Sequence, residues 1–376
     1  MSTQSGAPVG PVLVVGTGLL GTSIGLALRR RGVQVHLRDA LPGRAREAAD
    51  LGAGTDLPPD DPVLLAVVAT PPGAVGATVA ALQRERFAQG YTDVASVKSR
   101  PLRDLELAGG DLSRYVGGHP LAGSERSGPR AGRGDLFEGR PWVLCPGPHS
   151  AVEVSAGVEA LARACGAVPV VMEAAEHDEA VAVVSHLPHL LAALVAARLA
   201  VAADTELAVA GQGVRDVTRI AAGDPALWTE IVRDNAGPVL AQLREVRADL
   251  DRLIETLSMP GQGLAGLTEL LVRGNQGRAR IPGKHGGPAT AYQTVPVVVP
   301  DHPGELARLL HDAGAAGVNV EDLRIEHSPG QPAGLVELAV APQAAEALAA
   351  ALRSRGWTVH GEAPGQSHGG PAATAG

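Results

Sequence analysis

The chain has 376 residues, 45% of them apolar and 2% aromatic, and carries a net charge of −8. That length suits two or three domains with cores of Ala, Val and Leu, and a charge spread without long blocks argues against nucleic acid or an anionic membrane as partner. No run of about eighteen apolar residues suggests a membrane span, the N-terminus lacks a signal-peptide pattern, and Cys145 and Cys165 fit neither a Cys-x-x-Cys pair nor a zinc site, so a cytoplasmic, metal-free protein is expected.

Val12-Leu-Val-Val15 is a short apolar run suited to a buried parallel strand. It ends in Gly16-Thr-Gly-Leu-Leu-Gly21, after which a helical pattern runs to Arg31 and a second strand, Val33 to Leu37, leads to Arg38 and Asp39. Strand, G-x-G-x-x-G, helix and an acid eighteen residues on together make a dinucleotide fingerprint. Gly16 permits the tight turn, Gly18 lets the backbone approach a pyrophosphate at the helix N-terminus, with Leu20 beside it, and Gly21 lets helix and strand pack closely. Asp39 suits the ribose hydroxyls and repels a 2′-phosphate, favouring NAD, although Arg38 and Arg44 leave NADP open.

Further strands are expected at Val63–Ala69, Tyr91–Val94, Tyr115–Gly118, Pro141–Cys145 and Val168–Met172, with a helix from Ala151 to Cys165. Thr70, Ser96 and His119 then all fall at the carboxyl edge of one sheet, where a cofactor meets its substrate. Ser96 is either a ligand of substrate or nicotinamide ribose or the N-cap of the following helix. His119, held in Gly117-Gly-His-Pro-Leu-Ala-Gly123, is either a base facing a reacting carbon or a turn residue capping backbone groups. Lys98 and Lys284 are the only lysines among 32 basic residues, which marks Lys98 as a place where a compact ammonium is needed.

From about Glu173 the pattern turns helical, to about Leu271. Asp178, Ala182, Ser185 and His189, spaced 4, 3 and 4, share one helix face, and Pro188 should bend that helix. Arg219 has the planar fork for a carboxylate, or pairs with Asp216 or Asp224. A single helix from Leu227 to about Ser258 carries an apolar stripe suited to a core or a dimer seam. Residues 273–293 form a basic, glycine-rich linker, and 294–363 follow the order βαββαβ of a ferredoxin-like unit. The expected fold class is α/β: a Rossmann-type domain over 10–172, an all-helical substrate or dimerisation domain over 173–272, the linker, and the small C-terminal domain.

These motifs resemble those of the prephenate and arogenate dehydrogenases of tyrosine biosynthesis. The resemblance rests on Gly16 to Gly21, Ala95-Ser-Val-Lys98, Gly118-His-Pro-Leu-Ala-Gly123, Ser185-His-Leu-Pro-His189 and Thr218-Arg-Ile-Ala221, in that order along residues 12–271. It implies a homodimeric NAD enzyme in which His119 accepts a hydrogen bond from the C4 hydroxyl of the substrate ring. Ser96 would assist, Arg219 would bind a carboxylate and His189 would help hold substrate, with Glu125, Asp178, Ser185 and Lys98 around the pocket or its gate. The C-terminal unit resembles an ACT domain, implying tyrosine as inhibitor at Asp301, His302, Gly304 and Asn319. Another two-domain hydroxy acid dehydrogenase, or a sensor that has lost turnover, are the alternatives.

Overall fold

The computed structural model describes residues 9–123, 126–259, 264–282, 292–327 and 332–360. The chain divides into two compact units, one to Leu250 and one from Asp251.

The first unit is built on a seven-stranded sheet ordered β2-β1-β3-β4-β5-β6-β7. Its strands are β1 (Val12–Val15), β2 (Val35–Arg38), β3 (Val63–Val68), β4 (Ala88–Asp93), β5 (Tyr115–Pro120), β6 (Pro141–Pro146) and β7 (Val168–Val171). Strands β1 to β5 run parallel, whereas β6 is antiparallel to β5. Side chains alternate across the sheet. Val12 and Val14 therefore enter a core with Ile24, Leu28 and Trp142, while Leu13 and Val15 enter the opposite one with Val75, Val79 and Tyr91. Each such burial contributes about 1.5–3 kcal/mol, which is why the uninterrupted apolar runs in the sequence become strands covered on both faces.

Helices α1 (Leu19–Arg30), α2 (Arg44–Asp50), α3 (Pro72–Arg84), α4 (Ser99–Leu107) and α5 (Val152–Ala164) connect these strands. After β1 the chain turns to one side through β2, then returns to the other through β3. The carboxyl edge at that switch point holds the glycine loop.

A helical layer follows: α6 (Ala174–Val181), a π-turn (Ala182–His186) and α7 (Leu187–Leu199) form one continuous rod. Pro188 has no N–H for the helical ladder, and the bend expected of it takes the form of this wide turn just before it. The π-turn inserts one residue and shifts the buried face to Asp178, Ala182, His186 and His189. Ser185, expected on that face, is displaced and half-buried. By length and composition this rod could cross a membrane, which departs from the expectation that no stretch would. Its His177, Asp178, His186 and His189 are nevertheless buried against the rest of the unit, so it forms a wall of the protein interior.

Short helices α8 (Asp204–Leu207) and α9 (Gln212–Thr218) lead to a 3₁₀ turn at Arg219–Ala222. The single helix expected from Leu227 to Ser258 is two, α10 (Pro225–Asp234) and α11 (Ala236–Ser258). The break is at Asn235, whose amide hydrogen-bonds the Asp178 carbonyl at 2.7 Å and His186 Nδ1 at 3.0 Å. These buried side-chain partners hold Asn235 at φ −114°, off helical geometry, although its N–H still bonds the Ile231 carbonyl at 3.1 Å, and its local sequence does not show this.

In the second unit α12 (Ala265–Ala279) extends into the stretch read as linker. Gly274 and Gly277 cost a helix about 1 kcal/mol each relative to Ala, too little to stop it. Strands β8 (Gln293–Pro300), β9 (Asp322–His327), β10 (Ala333–Val340) and β11 (Thr358–Val359) form an antiparallel sheet ordered β11-β8-β10-β9. With α13 (Glu305–Ala315) and α14 (Pro342–Ser354) the order is βαββαβ, as expected. Val295, Val297, Leu309, Leu338, Leu348 and Trp357 fill its core.

Candidate active site

The carboxyl edge of β1 is shaped to admit a dinucleotide. Gly16 has φ 98° and Gly21 packs so tightly that an added Cβ would lie 1.9 Å from the Gly16 carbonyl oxygen, so neither tolerates a side chain. Gly18, at the N-cap of α1, has open space where a Cβ would be, and its helix carries no acidic residue in the first turn. Leu20 packs against the core beneath the loop. Asp39 Oδ2 accepts hydrogen bonds from Thr17 N at 2.7 Å and Thr17 Oγ1 at 2.9 Å, and Oδ1 accepts Leu41 N at 2.8 Å. Burial alone would raise this carboxyl, but the bonds from Thr17 and Leu41 and the charge of Arg44 lower it below the usual range and keep it ionised. Beside this loop, where a Cβ on Gly16 would lie 3.2 Å from Thr70 N, the Thr70 hydroxyl is buried with no hydrogen-bond partner among the described residues. An unpaired donor beside a backbone cradle, with a fixed carboxylate at the next strand, fits a dinucleotide with free ribose hydroxyls.

His119 ends β5 at the same edge and meets the helical layer there. Its Nδ1 lies 2.8 Å from Nε2 of His177 on α6, and His177 Nδ1 lies 2.9 Å from Asp178 Oδ1. Asp178 also accepts from the backbone N–H groups of Lys98 at 2.8 Å and Ser99 at 2.9 Å. Burial would raise Asp178, but the hydrogen bonds from His177, Ser99 and Lys98 hold it below the usual carboxylate range. An ionised Asp178 requires a proton on His177 Nδ1. With both imidazoles neutral, His177 Nε2 is then an acceptor and His119 Nδ1 is the donor to it. His119 Nε2 is thereby left as a bare lone pair, the tautomer a base requires. Burial first, then the nearby His177, Lys98 and His186, push the His119 pKa well below the ordinary histidine value.

Other expected residues fall around this centre in different ways. Ser96 is half-buried and makes no hydrogen bond among the described residues. It is not the cap of α4, whose N-cap position is Lys98 and whose first N–H groups are taken by Asp178. Its hydroxyl is therefore available to a ligand. Lys98 and Asp178 were placed around the pocket or its gate, but they are 1% and 4% exposed with every charged group engaged, so neither lies at a rim. His189 is buried and stacked on Trp228, ring centroids 3.6 Å apart, with Gly223 close against both rings. Arg219 is exposed on the 3₁₀ turn packed beside α7 and has no ion pair among the described residues. Asp216 accepts from Gln212 and Asp224 caps α10, so neither neutralises Arg219. Its guanidinium is free for a carboxylate. Glu125 lies outside the described residues.

Sequence reasoning missed His177, Asp93 and Asn235. The signal for His177 was present, since it adjoins Asp178, but the helical-stripe argument placed it off the face. In the second unit, Asp301 and His302 are exposed in the β8–α13 turn, Gly304 has φ 94° at the α13 N-cap, and Asn319 donates to Glu321 at 2.5 Å before β9. Both cysteines are buried, their thiols pushed up to about 12 by burial, consistent with apolar fillers. Among the described residues no group of His, Cys, Asp and Glu is arranged to hold a metal.

Comparison with known proteins gives a consistent pattern. Residues 24–171 match the family model "Prephenate dehydrogenase, nucleotide-binding domain", and residues 173–272 match "Prephenate dehydrogenase, dimerization domain". The chain is 42% identical to a probable prephenate dehydrogenase, NovF, of Streptomyces niveus over 355 residues, covering 92% of this chain and 98% of that one. It is 27% identical to the prephenate dehydrogenase of Bacillus subtilis, covering 84% and 87%. Among solved structures it is similar to prephenate dehydrogenase from A. aeolicus in complex with hydroxyphenyl propionate and NAD+, at 30% identity and a TM-score of 0.63, covering 72% of this chain and 97% of that one. It is also similar to Synechocystis arogenate dehydrogenase, at 28% identity and a TM-score of 0.60, covering 71% and 98%.

Proposed function

The chain belongs to the prephenate dehydrogenase family, and from that premise we propose how its own residues carry the reaction. It is an NAD-dependent oxidoreductase. Its reaction is the oxidative decarboxylation of prephenate to 4-hydroxyphenylpyruvate, in the service of tyrosine biosynthesis. The observation that carries the residue assignment is the Asp178–His177–His119 chain, which leaves one imidazole lone pair at the edge shared with the cofactor loop.

NAD, when bound, supplies the acceptor for the hydride leaving ring C4. Gly16, Gly18 and Gly21 form its pyrophosphate cradle, Asp39 meets the adenosine ribose, and Thr70 and Ser96 line the approach to the ring. His119 Nε2 accepts the hydrogen bond of the C4 hydroxyl and takes its proton as carbonyl character develops. When C1 loses CO₂ and the ring becomes aromatic, the oxygen takes the proton back as a phenol. The base thus shares a proton through one turnover, and a weakly basic imidazole suffices. As positive charge develops on His119, its Nδ1–H bond to His177 strengthens, with the Asp178 carboxylate behind it. Arg219 clamps a carboxylate of the dianionic substrate and fixes its orientation. His189, held flat against Trp228, forms the helical side of the pocket.

Arogenate is the second reading, because the Synechocystis enzyme of that name is comparably similar. The two substrates differ in a keto or amino group away from the reacting ring. NADH formation from NAD with each substrate in turn decides between them. Turnover of prephenate alone upholds the main reading, turnover of arogenate alone replaces it, and turnover of neither removes the activity.

We further propose that the protein is a cytoplasmic homodimer whose helical region forms the seam. Leu194, Val195, Val217, Leu240, Leu250 and Ile254 there are 40% exposed or more in the single chain, and the region matches a dimerization domain. The division into a Rossmann domain over 10–172, a helical domain over 173–272 and a small domain over 294–363 is ours. The βαββαβ order and the left-handed Gly304 between β8 and α13 support reading the small unit as an ACT domain that takes tyrosine as inhibitor around Asp301, His302, Gly304 and Asn319.

A further inference from the structure

Lys98 and Asp93 form an ion pair sealed from solvent, 1% and 0% exposed. The Lys98 ammonium donates to Asp93 Oδ1 and, at 2.5 Å, to the carbonyl oxygen of Gly118, the residue immediately before His119. Asp93 Oδ2 accepts the Tyr115 hydroxyl at 2.5 Å and Gly118 N at 3.3 Å, while Oδ1 also accepts Ala95 N at 2.7 Å. The N–H and the C=O of Gly118 are therefore both held by this one pair. The strand lies hard against it: a Cβ on Gly117 would be 3.1 Å from Lys98 Cδ, and one on Gly118 would be 2.5 Å from the Asp93 carbonyl oxygen. On the other side, the backbone N–H of Lys98 binds the same Asp178 oxygen that receives His177.

A pair so deeply buried does not earn its place by stability, since well-packed apolar residues of similar volume do as well or better. Sealed from solvent, it also touches no substrate. We propose that Lys98 is a positioning residue of the reaction, its buried ammonium fixing the Gly118 peptide, and through it the His119 ring, in register with the His177–Asp178 chain. The inference rests on His119 as the base. Its electrostatic corollary is that the ammonium opposes a resting proton on His119, adding to burial and His177, the larger causes of that ring's depressed basicity. The groups acting on His119 are His177 from α6, His186 from the π-turn and Lys98 from the sheet side, with Asp178 behind His177 and Asp93, Tyr115 and Cys145 around Lys98. Burial raises both the Tyr115 hydroxyl and the Cys145 thiol, which stay neutral. Lys98 is the cation of the set.

The test is titration of His119 in the full-length protein by NMR on labelled histidines, its signal identified by loss in His119→Asn, together with the pH profile of kcat/KM. In Lys98→Met the His119 midpoint should rise by about one unit, the low end of what a nearby charge produces, and the acid limb of kcat/KM should move with it. Lys98→Arg keeps the charge but not the fit, so the midpoint should stay while kcat falls about tenfold. Should the unpaired Asp93 prevent folding, Lys98→Met with Asp93→Asn keeps the test alive, with a smaller rise expected. An unchanged midpoint with unchanged kcat in either Met variant overturns the proposal. A midpoint that moves without the acid limb upholds the hold on the ring and instead removes His119 as the base.

Discussion

His119 and His177 meet edge to face, ring centroids 5.1 Å apart at 74°, with Nδ1 of the first 2.8 Å from Nε2 of the second. One ring comes from the last residues of a strand and the other from the first turns of a helix, so the contact joins the sheet to the helical layer at the place where chemistry is assigned. His119→Asn should lower kcat by about 10²–10⁴-fold, the range for a general base. His177→Leu removes only the group that orients the base and should cost roughly 10–10²-fold in kcat, as loss of an orienting partner does. NAD affinity, measured by fluorescence titration, should stay unchanged in both. Wild-type kcat in His177→Leu would leave the chain without a catalytic role.

The pH dependence follows from burial. His119 is held neutral well below the usual histidine range, so kcat/KM should be flat across neutral pH and through the ordinary histidine range, falling only at more acid pH. Stability should follow the same direction. His186 is lowered to about 4, burial being the first cause, while Asp178 acts in the opposite sense. A base whose folded-state pKa lies below its unfolded value contributes stability that is complete above the unfolded pKa. That contribution is lost as pH falls through the folded one. Denaturant midpoints should therefore decline between about pH 6.5 and 4, and His186→Gln should flatten that decline if the amide keeps the bond to Asn235. A stability profile that is level over this window would contradict the buried neutral state.

Much of this site was legible in the sequence, and the gaps have physical causes. Glycine spacing reports backbone needs directly, so Gly16, Gly18 and Gly21 could be placed, and His119 was marked by the glycines and proline around it. Asp93 was read as an ordinary strand residue, because nothing local shows that a buried acid meets a lysine five residues on. Composition singled out Lys98, but not that it is buried against Asp93 and Gly118. Ser185 was misplaced by a helical period that the π-turn interrupts. Tertiary pairings and a one-residue change of helical period are what a regular sequence pattern does not encode.

Arg219 has no acidic partner among the described residues, and the two aspartates near it in sequence are engaged elsewhere. Losing a charge-assisted hydrogen bond costs about 1.5–3 kcal/mol. Arg219→Ala should therefore lower kcat/KM about 10–150-fold, chiefly through KM, with its thermal midpoint held because no internal ion pair is lost. Equal losses in Tm and kcat/KM would mark the residue as structural. Arg219→Lys should recover only part of the loss, since an ammonium lacks the planar fork.

The final prediction concerns the small unit. The A. aeolicus structure is covered over 97% of its length by only 72% of this chain, whereas the S. niveus relative matches 92% of it. The two matching family models span residues 24–171 and 173–272, short of the small unit, and the βαββαβ unit has its own core of Val297, Leu309, Leu338, Leu348 and Trp357. A chain ending near residue 290 should keep kcat within about twofold, because none of the residues assigned to the reaction lies beyond Arg219. If tyrosine binds the small unit, that truncated enzyme should turn over prephenate at the same rate with and without tyrosine, while the full chain is inhibited. Inhibition that persists after truncation, and is competitive with prephenate, would move the tyrosine site to the pocket of His119 and Arg219, where a phenol with a carboxylate resembles the product.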